Sequence, residues 1–122
     1  MYEKDFILDE NVDFEIDKKK FTYKPVSAGD ELKWVGEYLE VIEGKAVQNF
    51  EKKTICKLRN LIQVPYDKET INKIIHINKD WTELNNEEKF NVLSRLSPSM
   101  FDKIITAINK IDQSDDLEQK KN

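Results

Sequence analysis

The chain has 122 residues, enough for one domain that buries a core without disulfides or a metal, and 39% hydrophobic with 36% charged residues excludes full disorder. A formal net charge of -4 and a pI near 5.1 oppose nonspecific attraction to nucleic acid or to an anionic membrane. One cysteine, Cys56, excludes an internal disulfide and, with a single histidine, a zinc cluster; no apolar run approaches the roughly 18 to 20 residues of a membrane span. The N-terminus lacks a basic start followed by an apolar run, so a reducing, cytoplasmic setting is expected.

In chain order, residues 1–10 hold Phe6, Ile7 and Leu8 among acids without a period and read as a flexible arm that docks loosely or becomes ordered on a partner. Val12, Phe14 and Ile16 alternate with Asp13, Glu15 and Asp17, and after Lys18-Lys19-Lys20 the alternation resumes at Phe21-Thr22-Tyr23. This predicts an antiparallel hairpin over residues 11–24 that must pack on helices or on another subunit, because two strands alone are marginal in water. Pro25 ends the second strand, and Ser27-Ala28-Gly29-Asp30 starts a helix with an acid in its first turn.

That helix is predicted from Ala28 to Ile42, with Leu32, Val35, Leu39 and Ile42 as its core face, Trp34, Tyr38 and Val41 beside it, and Gly44 as its left-handed stop. A second helix is predicted from Ala46 to Val64, with Val47, Phe50, Leu58, Leu61 and Ile62 buried, Ile55 near the same arc, and Lys52, Lys53, Lys57 and Arg59 on the other side. Pro65 closes it. Asp67 can cap a third helix containing Ile71, Ile74, Ile75 and Ile77, although the β-branched run over 71–77 leaves a strand open.

Trp81 stands among polar residues and is expected to anchor a loop on the core. Asn85 with Glu88 forms a capping box for a fourth helix whose apolar side is Phe90, Val92, Leu93 and Leu96. Ser97 and Pro98 then stop it and start the last helix, whose stripe is Phe101, Ile104, Ile105, Ile108 and Ile111. After Ile111 the core pattern ends, and residues 113–122 read as a disordered tail. The expectation is a mostly helical α+β domain over residues 1–112, with the hairpin at 11–24 and about five helices over 28–112.

Chemistry-bearing constellations are sparse. His76 has no second imidazole, and Cys56 with His76 is the minimal pair for thiol chemistry, 20 residues apart. Glu87 with Glu88 and Asp115 with Asp116 read as solvated surface. Gly29, Gly36 and Gly44 do not make a phosphate-binding loop. The basic side formed by Lys52, Lys53, Lys57 and Arg59, together with the junction of the last two helices, suggests a nucleic-acid-binding regulator as the alternative function. Against it stand the net charge and a final helix without arginine.

The segment Phe14-Glu15-Ile16-Asp17-Lys18-Lys19-Lys20-Phe21-Thr22-Tyr23-Lys24-Pro25-Val26-Ser27-Ala28-Gly29-Asp30 resembles the opening of phage tail assembly chaperone-like proteins: a short hairpin, a Pro element, then a Ser- or Thr-initiated helix with Gly-Asp near its start. Residues from Trp81 to Phe101, with a short helix, a Pro break and a final helix, resemble the ending of small phage tail-module proteins. The resemblance implies a non-enzymatic phage or prophage protein of the host cytoplasm, without a cofactor or metal, that keeps an apolar partner such as the tail tape-measure protein in solution. Homo-oligomerisation is left open. Residues with apolar surface to spare are Trp34, Tyr38, Val41, Tyr66 and Trp81, although each reads more readily as core.

Overall fold

A computed structural model describes the backbone of residues 11–121 and the side chains as far as residue 113; the N-terminal arm expected over 1–10 lies outside these. The architecture is mixed α+β. Strands β1 (Val12–Ile16) and β2 (Lys19–Tyr23) form the expected hairpin, with Phe14 opposite Phe21 and their rings stacked at 5.2 Å. Its two-residue turn is Asp17-Lys18, both with positive φ (51° and 66°), so the link is one residue earlier than the lysine run suggested.

Helix α1 (Ala28–Tyr38) opens with the expected cap: Ser27 Oγ accepts from Asp30 N–H, and the Asp30 carboxylate accepts from Ser27 N–H. It stops four residues earlier than predicted. Leu39-Glu40-Val41-Ile42 is strand β3 (Leu39–Ile42), paired antiparallel to β4 (Lys45–Gln48) through the turn Glu43-Gly44. Glu43 (φ 53°) and Gly44 (φ 78°) supply the two left-handed residues that a tight hairpin turn needs, so Gly44 turns a ribbon rather than ending a helix. Val41, Ile42 and Val47 also prefer the pleated chain.

The second predicted helix is also broken up: its first residues belong to β4, and the rest divides into three elements. Helix α2 (Phe50–Lys57) passes through a 3-10 turn (Leu58–Asn60) into strand β5 (Leu61–Gln63), which joins β2 to give the sheet order β1-β2-β5. Helix α3 (Lys68–Ile75) is capped by Asp67 as expected and makes the isoleucine run helix through Ile75, with Ile77 lying beyond its end. It ends on His76, in a left-handed conformation at φ 60°. A 3-10 turn (Trp81–Glu83) precedes α4 (Asn86–Ser94), where Asn85 and Glu88 form the predicted box.

Helix α5 (Pro98–Lys121) starts where Ser97 Oγ accepts from Met100 N–H. It continues through the residues read as a disordered tail, because nothing after Ile111 is Gly or Pro and Leu117, Glu118, Gln119 and Lys120 favour helix. Ile104 and Ile108 of its stripe are fully buried.

Two apolar clusters hold these elements. The larger gathers Phe21, Tyr23, Leu58, Leu61, Ile71, Trp81, Val92, Leu93, Ile104 and Ile108 between the three-stranded sheet, α3, α4 and α5. Trp34, Tyr38 and Cys56 form a smaller one between α1 and α2, and Val26 packs against both. A polar clasp reinforces the joint: the Asp112 carboxylate accepts from Tyr23 O–H (2.8 Å) and Val26 N–H (3.0 Å) and pairs with Lys57 Nζ (2.9 Å). Burial, then the Asp112 charge and hydrogen bond, push the Tyr23 phenol far above its ordinary value, so it stays a donor.

Candidate docking ribbon

The feature least explained by folding lies where α1 was expected to continue. None of the eight residues of β3 and β4 is buried, and Val41 retains 77% of its accessible surface. The register Leu39↔Gln48, Glu40↔Val47, Val41↔Ala46 and Ile42↔Lys45 puts Leu39, Val41, Ala46 and Gln48 on one face and Glu40, Ile42, Lys45 and Val47 on the other. Phe50, two residues past β4 at the start of α2, is 78% exposed and adds apolar surface near its base, and Leu32, two turns back along α1, is 77% exposed. Exposed aliphatic residues scattered singly need no explanation, but a free two-stranded ribbon carrying several of them does.

Polar bonds at the base hold the ribbon to the helices. Asn49 N–H donates to the Tyr38 carbonyl (2.7 Å), Asn49 Oδ1 caps α2 by accepting from Lys52 N–H, and Asn49 Nδ2 donates to Glu40 (3.0 Å). Lys52 Nζ pairs with Glu40 at 2.9 Å. The Lys52 and Asn49 hydrogen bonds, with the lysine charge, hold the Glu40 carboxyl below its ordinary value. The ribbon is therefore oriented at its root while its tip and both apolar faces stay open to solvent.

Of the five residues expected to offer surface, only Val41 does. Trp34 and Tyr38 are buried with Cys56, with the Arg59 guanidinium 5.5 Å from the Trp34 ring and Lys53 Nζ 5.4 Å from the Tyr38 ring. Tyr66 packs edge-on against Phe21 at 6.2 Å, and Trp81 is buried with Nε1–H donating to the Leu61 carbonyl at 2.7 Å. Conversely, Leu32, Leu39, Ile42, Val47, Phe50 and Ile62, all expected in the core, are exposed. The assignment inverts because an aromatic ring removes more apolar area from water than a leucine, so α1 turns its Trp34 and Tyr38 face inward. The overlooked signal was Glu43-Gly44 flanked by β-branched residues, which marks a hairpin rather than a helix end.

The basic residues are spent on internal contacts. Arg59 makes a two-pronged pair with Glu37 (both 2.7 Å), Lys52 is held by Glu40, and Lys57 binds Asp112 and Asn109. Lys53 stays near Tyr38 with a long 3.5 Å contact to Gln48. A phosphate backbone would have to compete with these carboxylates. Lys103 of α5 likewise faces Asp17, at 3.5 Å.

Two of the surface concavities bear on a functional reading. One of about 540 Å3, lined by Glu37, Cys56, Arg59 and Glu87 among others, reaches the buried thiol, which burial pushes above its ordinary value. A thiol so placed is held protonated and is a poor nucleophile; His76 is not part of this lining. The other, about 490 Å3, is an apolar groove between α4 and α5 lined by Phe90, Leu96, Phe101 and Ile105. Among the described residues there is no group of His, Cys, Asp or Glu placed to hold a metal ion, and no helix long and apolar enough to cross a membrane.

No family model, curated protein or solved structure matches this chain. The ribbon, its base and its exposed aliphatic residues are thus the ground for a functional reading.

Proposed function

We propose that this is a non-enzymatic binding protein that docks an apolar segment of a partner protein on the β3–β4 ribbon, in the manner of a phage or prophage tail assembly chaperone acting in the host cytoplasm. The observation that carries the reading is the solvent-exposed ribbon, with Val41 at 77% exposure and Phe50 exposed just past its root. Such a surface gives a partner both side-chain contacts and a strand edge, the two elements of strand-addition recognition. The heavily charged remainder of the surface, on a chain of net charge -4, would keep an aggregation-prone partner dispersed. The resemblance of residues 14–30 and 81–101 to small tail proteins supplies the partner class, the tape-measure protein or another tail component.

Co-expression with an apolar tape-measure segment tests this. The wild-type chain is expected to hold the segment in the soluble fraction, and Val41→Asp, at an exposed position, is expected to lose it while retaining the fold. Equal recovery with both chains would overturn the ribbon as the site, and tight, salt-sensitive retention on DNA in place of segment binding would favour a nucleic-acid-binding regulator.

A further inference from the structure

The ribbon also has an edge chemistry that points to a second copy of this chain. Asn49 N–H bonds the Tyr38 carbonyl, and in an antiparallel ladder bonded pairs alternate, so Glu40 with Val47 and Ile42 with Lys45 face each other inward. The intervening residues turn their backbone groups outward: Leu39 and Val41 on the β3 side, Ala46 and Gln48 on the β4 side. Among the described residues, nothing in the chain bonds the outward groups of Ala46 or Gln48. The β3 side is less complete, since Leu39 N–H is taken by the Val35 carbonyl that ends α1.

We propose that two copies pair antiparallel through their β4 edges, with Val47 on the two-fold axis, to make a four-stranded sheet in the order β3-β4-β4-β3. In this register Ala46 of one copy exchanges both backbone hydrogen bonds with Gln48 of the other, and the symmetry repeats the exchange. Lys45 then lies opposite Asn49 of the second copy, so no like charges meet. Pairing through β3 in the register that uses Leu39 and Val41 would instead set Glu40 against Glu40 of the second copy, a direct repulsion across strands. The self-complementary edge therefore belongs to β4.

The pairing has a consequence for the exposed face. Across the joint, Val41 and Ala46 of one copy run in line with Gln48 and Leu39 of the other, and the two-fold repeats that row. Two small aliphatic patches become one continuous strip, while both β3 edges remain free. The pairing rests on the ribbon alone and does not depend on which partner the protein carries.

Sedimentation of the full chain across concentrations up to the millimolar range tests the pairing, with a mass rising to twice the 14.4 kDa of one chain. Val47→Lys places two ammonium groups on the axis yet sits opposite Glu40 within its own ribbon, so it should weaken the dimer roughly tenfold without opening the hairpin. Val47→Cys should cross-link two chains on mild oxidation, because residues facing each other in a non-bonded antiparallel pair stand about 4.5 Å apart at Cα, within disulfide reach. A chain that stays monomeric at every concentration overturns the proposal, as does a dimer that Val47→Lys leaves intact or that Val47→Cys fails to link.

Discussion

Asp112 is the residue at which β2, the loop before α1, α2 and α5 are tied together. Its carboxylate meets the Tyr23 hydroxyl, Val26 N–H and Lys57 Nζ, and the Lys57 and Asp112 side chains are only 15% and 13% exposed. Removing one partner of such a pair leaves the other charge without compensation, so Asp112→Asn should cost roughly 3 kcal/mol, read from the urea midpoint. Four non-glycine residues sit in left-handed backbone conformations that glycine adopts without strain: Asp17, Lys18, Glu43 and His76. Lys18→Gly and His76→Gly should each therefore raise stability, by about 0.5–1 kcal/mol, an effect that thermal unfolding would reveal. Glu40 carries the pH dependence of the ribbon's root. Its carboxyl is held below the ordinary 4.5 by Lys52, so the bond contributes above pH 4.5 and is lost as pH falls through the lower, folded value. Carbon NMR should find Glu40 titrating below 4.5 in the wild type and closer to it in Lys52→Met.

At the scale of elements, helices announced by caps were legible and those announced by periodicity alone were not. Ser27, Asp67, Asn85 and Ser97 each mark a start that the structure keeps, since a side-chain oxygen accepting an early backbone N–H is a local interaction needing no tertiary context. Residues 39–48 and 61–63 were missed because Leu39, Ile42, Leu58, Leu61 and Ile62 satisfy a helical stripe by spacing while also suiting strands. What decides them is nonlocal: β5 exists because β2 offers it a partner, and Trp81 fixes it by donating to the Leu61 carbonyl. Trp81→Phe would leave that carbonyl without its donor, and we expect a loss of about 1–2 kcal/mol in denaturant unfolding. The exposed ribbon was legible only through Val41, because the other candidates were chosen as large aromatic residues, the side chains a small core claims first.

For the whole molecule, the division is between a well-packed body and a ribbon that folding leaves uncovered. The sheet of β1, β2 and β5 is covered by α3, α4 and α5, with Phe21, Leu61, Ile71 and Ile104 fully buried. The sheet of β3 and β4 is covered by nothing among the described residues. Under the proposed function, a partner that completes it would gain apolar contact and backbone pairing while the body stays unchanged. The most direct measurement is amide hydrogen exchange of the chain with and without an apolar tape-measure segment. Exchange should slow at Val41 and its β3 neighbours when the segment is added. Protection confined to the groove between α4 and α5, or absent throughout the ribbon, would contradict the proposed docking.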